Sequence, residues 1–355
     1  MDDAAALSEI RRAAQAALEA WPEARAAVLF GSRARGTHRP DSDWDVAFIV
    51  RGDGDRLGTV PADVPFSVPG VRRRQYVNEV AIPEQLIGRK ALCIGHVGRG
   101  IAVDGRILAG EWTKPKLRGT PFMETDKYWN SMATSLRMIE GAIEASARMG
   151  SSKNWRKHLG RADDFVACTA DAAEHLAKAV MGRHGVDAYT IHSLDNLAGQ
   201  ARKAGHFALA EEVLRMNGST KQDHVARYNG ATKESLAHAI SRLPVVLELM
   251  RKELAELPAG FLDLQEGTEL VEAAMEVFRD GAATLRAAVE RDGAGMEPPE
   301  PYGWLKPLVE FREALAAKLD GTVDSLSNDR NSSTIDDWQP PAPSPLDDPT
   351  DPFKG

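Results

Sequence analysis

Apolar positions along the first hundred residues change period several times. Over residues 3–20, Leu7, Ile10, Ala14 and Leu18 recur at helical spacing, and Trp21-Pro22 ends the pattern. An opening amphipathic helix follows from this. Two short apolar runs come next, ARAAVLF (24–30) and DVAFIV (45–50), closed by Gly31-Ser32 and by Arg51-Gly52-Asp53-Gly54. Both read as buried strands, joined by a basic loop. RRQYVNEVAI (73–82) predicts a third strand, stopped at Pro83, and PEQLIGRKAL (83–92) a short helix with proline in its first turn. The Asp104-Gly105 pair within GIAVDGRILAG (100–110) predicts a β-hairpin.

From Glu124 to about Glu256 the texture becomes long helical periodicity, which predicts a bundle of about five helices. Further helices are expected over 266–291 and 305–318, separated by Pro298, Pro299 and Pro301. Residues 321–355 are rich in Ser, Asp, Asn and Pro and predict a disordered tail. The fold class expected is α+β: a small mixed-sheet domain over 1–118, an all-α bundle over 119–258, additional helices over 259–320, and the tail.

Composition narrows the class without naming a chemistry. A chain of 355 residues, 43% hydrophobic and 27% charged, allows about two globular domains and excludes a collagen-like or wholly disordered one. Two distant cysteines, Cys93 and Cys168, form neither a disulfide framework nor a thiolate zinc cluster. With an acidic start and no apolar stretch of about 20 residues, a cytoplasmic location is expected. The net charge of −8 argues against broad affinity for nucleic-acid backbone.

One segment concentrates chemistry. Gly31-Ser32-Arg33-Ala34-Arg35-Gly36 is followed, six residues later, by Asp43-Trp44-Asp45 at the head of a strand. Residues two apart on a strand share a face, so Asp43 and Asp45 project together while Trp44 turns to the core. Paired carboxylates are a hard oxygen site suited to Mg²⁺, which shares its shell with substrate phosphates. The Gly31 backbone and the Ser32 hydroxyl suit phosphate oxygens, and Arg33 or Arg35 would add positive charge. Each element alone is ordinary turn chemistry; their combination points to nucleotide chemistry.

GSRARGTHRPDSDWD resembles the Gly-Ser, ten-residue, Asp-x-Asp pattern of the DNA polymerase β-type nucleotidyltransferases, especially the small MNT-type members. That resemblance covers about residues 5–115. It implies two Mg²⁺ ions, ATP as the nucleotide, and a third carboxylate on a neighbouring strand. Glu79 in YVNEVAIP is the candidate, in competition with Asn78 and, more distantly, Asp63. The metal ligands implied are therefore Asp43, Asp45 and Glu79, with Gly31, Ser32, Arg33 and Arg35 around the nucleotide.

DAAEHLAKAVMGRHG, IHSLDNLA and ARYNG, within 171–230, resemble HEPN helical domains that accompany MNT-type enzymes. The Arg, four to six residues, His pattern of the HEPN ribonucleases is missing: Arg183–His192 and Arg215–His224 are separated by eight residues and Arg202–His206 by three. Elsewhere the simpler readings prevail. Glu174–Lys178 reads as a solvated helical pair, Arg72-Arg73-Arg74 as a solvated strand edge, and His224, Arg227 and Tyr228 as bundle packing or capping.

The function expected is Mg²⁺-dependent transfer of a nucleoside monophosphate to a hydroxyl of a protein or other macromolecule, in a toxin–antitoxin or defence setting. An aminoglycoside-type small-molecule acceptor, an inactive nucleotide-binding module and a HEPN ribonuclease are the competing readings. Partners are then a nucleoside triphosphate and a protein, RNA or small-molecule acceptor. No membrane partner is expected, and a homo-oligomer is compatible with the pattern.

Overall fold

The computed structural model describes residues 3–40, 42–68, 76–149, 155–189, 191–216, 230–257, 264–292, 300 and 302–332. They divide into two compact units, the first ending at Phe122 and the second beginning at Met123. A small mixed sheet and its helices form the first, and helices form the second, so the class is α+β. Arg72, Arg73, Arg74, His224, Arg227 and Tyr228 lie outside the described residues.

In the first unit α1 (Asp3–Ala20) leads into β1 (Ala24–Phe30), a one-turn helix α2 (Gly31–Arg35) and β2 (Trp44–Val50). Then come β3 (Val77–Pro83), α3 (Glu84–Lys90), the two-residue β4 (Cys93–Ile94), α4 (Val97–Asp104) and β5 (Arg106–Gly110). The four-stranded sheet has the order β3-β2-β1-β5. β1 runs antiparallel to both β2 and β5, and β2 parallel to β3. Both faces of the central strands are covered, which is why their sequences are nearly continuous apolar runs. On one face Leu29, Trp44, Val46 and Phe48 pack with Ile10 and Ala14 of α1. On the other Val28, Ala47 and Ile49 pack with Leu86, Ile87 and Ile101 of α3 and α4.

Two local expectations change. The expected basic loop begins with a helical turn, α2, which Gly36 closes at φ +75°. The expected hairpin over 100–110 is instead the end of α4 followed by β5. Gly105 has φ −49°, outside the left-handed region a two-residue Asp-Gly hairpin turn requires. It serves close packing: a Cβ there would stand 2.4 Å from the Ile101 carbonyl oxygen and 2.8 Å from Val28. The strand that follows pairs with β1 rather than folding back on its own neighbour.

The second unit contains α5 (Thr125–Arg148), α6 (Trp155–Arg183), α7 (Leu194–Lys203), α8 (Phe207–Arg215), α9 (Lys233–Ala255), α10 (Leu264–Asp292) and α11 (Lys306–Ser332). α5 and α6 pack along their length, helped by small residues: Gly141 faces Cys168, and Ser135 Oγ donates to the Ala172 carbonyl at 2.9 Å. α10 packs on α5 and α11, and α11 on α9. Residues 321–332, expected in the tail, complete α11, because Thr322 and Leu326 are buried and Arg251 of α9 reaches Ser325 and Asp329. Tertiary packing overrides weak helix propensity here. Residues 333–355 lie outside the described residues. No helix among the described residues is long and apolar enough to cross a membrane.

The Glu174–Lys178 pair is buried rather than solvated, with side chains 8% and 5% exposed. Lys178 Nζ donates to Glu174 Oε1 at 2.8 Å, and His192 Nδ1 meets the same oxygen at 2.9 Å. Burial alone would raise the Glu174 carboxyl; hydrogen bonds from His192 and Lys178 outweigh it and hold the group down at about 2. Its ordinary value is 4.5, so the stabilisation is complete above about pH 4.5 and drains as pH falls towards 2. Glu174→Gln is expected to cost on the order of 2–3 kcal/mol at neutral pH, with a gap to the parent that narrows near pH 3. Urea unfolding followed by far-UV circular dichroism at the two pH values measures both.

Candidate active site

The sheet register decides which side chains share a face. Asp45 stands opposite Phe30 on β1 and opposite Asn78 on β3. Asp43, two residues earlier, projects to the same side. Asn78 Nδ2 lies between the carboxylates and donates to Asp43 Oδ2 at 3.4 Å and Asp45 Oδ1 at 3.3 Å. Asp43 Oδ1 also accepts from the Tyr76 backbone N–H at 3.2 Å, and the Trp44 N–H returns a bond to the Tyr76 carbonyl at 2.8 Å. The head of β2 is thus tied to the head of β3 at the carboxylate pair.

Glu79 is not part of this group. It pairs with Val46, whose side chain belongs to the α1-facing core, so Glu79 projects to the side opposite Asp43 and Asp45. A one-residue change of parity separates the expected ligand from the residue that occupies the position, Asn78. Asp63 is exposed in a turn, with no contact that joins it to the pair. Among the described residues no group of three or more His, Cys, Asp or Glu side chains is placed to hold a metal ion. The carboxylate oxygens close to one another here are those of Asp43 and Asp45.

Gly31 is packed against the pair. Its φ is +74°, and a Cβ built on it would fall 2.4 Å from Asp45 Oδ2. Glycine is required both for the turn out of β1 and for the room Asp45 occupies. Ser32 follows in α2, half-buried, its carbonyl accepting from the Thr37 N–H at 3.0 Å and its hydroxyl unbonded among the described residues.

The two arginines divide. Arg33 is buried and faces away from the carboxylates: Nε and Nη2 donate to the Ser42 carbonyl at 2.9 and 2.7 Å, and Nη1 to Asp3 at 3.1 Å. Its guanidinium carbon lies 4.1 Å above the Trp44 ring. Arg33 is therefore a clip for the loop that delivers Asp43, not the nucleotide-facing cation expected of it. Arg35 Nη1 pairs with Asp104 Oδ2 at 2.6 Å while one third of its side chain stays exposed, and its charge reaches Asp45.

Burial pushes the Asp45 carboxyl above its ordinary value; the Asn78 hydrogen bond opposes this, and the Asp43 charge adds to it. The raised value marks a pair held close in partial shelter from water. Tyr76 and Asp104 are absent from the sequence-based set. Tyr76 carries no motif, and Asp104 reads as a hairpin residue until α4 places it beside Arg35.

The Asp-x-Asp strand and the Gly-Ser turn beside it lie within the one segment that the family comparison matches. Residues 10–91 match the nucleotidyltransferase domain family model, and nucleotidyl transfer is the general chemistry of that domain. No curated protein and no solved structure matches the chain. The match runs from α1 through α3 and contains Gly31, Ser32, Asp43, Asp45 and Asn78.

Gly31→Ala is expected to destabilise the first unit by about 1–3 kcal/mol, since the new methyl meets the Asp45 carboxylate and the backbone is strained. Denaturant unfolding measures the loss. A Gly36→Ala control shares the positive φ but has open space around its Cβ, so it should lose less.

Proposed function

We propose that the protein transfers a nucleoside monophosphate from ATP to a hydroxyl acceptor in a Mg²⁺-dependent reaction. The observation that carries this reading is the Gly31–Asp45 approach, which sets the Gly31-Ser32 turn directly against the Asp45 carboxylate, with Asp43 on the same strand face. The donor set fits Mg²⁺, which is commonly held by one or two carboxylates with the remaining ligands from water and phosphate. Asp43 and Asp45 would hold it, with the Asn78 amide orienting both. When bound, the ion neutralises phosphate charge and lowers the pKa of the acceptor hydroxyl. Ser32 and the Gly31 backbone orient the triphosphate, and Arg35 at the edge adds positive charge.

The acceptor belonging to this reading is a protein or other macromolecule, in a toxin–antitoxin or defence setting. Its support is the resemblance of GSRARG…SDWD to MNT-type enzymes and of the helical segments to HEPN domains. The RNA-cleaving alternative has less support: the His206 ring packs tilted against His184, Arg202 pairs with Glu211, and Arg215 with Glu248.

One observation favours a second reading, a nucleotide-binding module with little turnover. Asn78 stands where a third carboxylate would complete a two-ion site, and its amide is spent on Asp43 and Asp45. The two readings separate on one assay: purified protein with Mg²⁺ and α-labelled ATP, scored for label on macromolecule and for pyrophosphate. Transfer is expected, and Asp43→Asn or Asp45→Asn should lower it at least about a thousandfold. Glu79→Gln should stay within about threefold of the parent, because Glu79 projects away from the pair. ATP binding without pyrophosphate release, restored by Asn78→Asp, would establish the second reading.

A further inference from the structure

The face of the sheet opposite Asp43 and Asp45 carries a pocket of about 220 Å³ between the first turns of α1, the loop after α2 and strand β5. Leu7, Leu29, Trp44 and Leu108 give it an apolar lining. Arg106 stands opposite Leu29 in the β1–β5 ladder and therefore projects to this side, where Arg11 of α1 also lines the pocket. Both arginines are exposed, and neither makes an ion pair or hydrogen bond among the described residues.

Charge in the pocket does not balance. Asp3 already pairs with Arg33 at 3.1 Å and with His38 Nε2 at 2.7 Å, so Arg11 and Arg106 are a surplus of two positive charges. Two residues of the lining also carry a buried, unpaired nitrogen. Trp44, 3% exposed, buries its indole Nε1 without a hydrogen-bond partner, and His38 Nδ1 is buried without one.

We infer that this pocket binds a small organic carboxylate with a ring-sized apolar body. The body lies against Trp44 and Leu29, and the carboxylate is held between Arg11 and Arg106, whose guanidinium groups match it in a forked geometry. The size agrees, since an apolar cavity of about 150 Å³ takes a benzene ring and the remainder accommodates a carboxylate. Arg33 and Trp44 wall this pocket and also hold the loop that ends at Asp43, so the ligand sits behind the carboxylate pair without entering it. The inference stands apart from nucleotidyl transfer, and its test reads binding alone.

Benzoate titrated into the full chain carrying ¹⁵N-labelled tryptophan indoles is the direct test, with Trp44→Phe identifying the Trp44 resonance. A saturable shift of that resonance is expected, with a Kd of about 1 mM. Arg11→Gln/Arg106→Gln should weaken binding at least about tenfold, and benzyl alcohol, which keeps the ring and lacks the charge, should bind the parent as weakly. If the double change perturbs the fold, Arg106→Gln alone reads the same loss. A Trp44 signal that stays still to about 10 mM benzoate, or that moves equally with Arg106 replaced, overturns the inference.

Discussion

Asp45 sits opposite the last residue of β1, and this pairing constrains everything around it. The chain leaving Phe30 must turn at once, and it must do so with no side chain where the Asp45 carboxylate stands. Glycine at 31 meets both demands through its positive φ and its missing Cβ. The Gly-Ser turn and the Asp-x-Asp strand are thus one packed unit, although ten residues separate them in the chain. A carboxylate pushed up by burial, beside a second carboxylate and one bridging amide, is the electrostatic consequence.

Arg33 holds the end of the intervening loop at Ser42. A buried guanidinium that spends two donors on the Ser42 carbonyl and one on Asp3, with its flat face over Trp44, fixes the loop at the residue before Asp43. In an apolar setting such a cation needs all of these partners. The outcome is a division of labour between two arginines that look equivalent in RARG: Arg33 builds, and Arg35 remains at the rim with Asp104.

The helical unit places charge inside as well. Glu174 and Lys178 form a buried ion pair that the exposed His192 joins from the surface, and Arg312 is fully buried against Asp292 and the Met149 carbonyl. Glu253, 1% exposed, is pushed up to about 7 by burial despite the Arg183 guanidinium beside one of its oxygens. The Arg312–Asp292 and Arg183–Glu253 contacts join different helices through a defined geometry, where an apolar pair would tolerate sliding.

Local periodicity was enough to locate α1, β1, β2, α3 and the long helices, because burial of one face imposes a period that short-range sequence records. Spacing alone put Asp43 and Asp45 on a common side, since alternation along one strand is a local property. Four matters were beyond it. The parity of β3 against β2 selects Asn78 over Glu79, and it depends on a register between strands about thirty residues apart. The fate of Arg33 depends on Trp44 and Asp3 arriving beside it, and the Asp-Gly pair at 104–105 becomes a helix end because β1 offers its edge to the strand that follows. Residues 321–332 are helical because α9 receives them. Periodicity within a segment was written in the sequence; which segments meet, and in what register, is a property of long-range packing that only the tertiary structure decided.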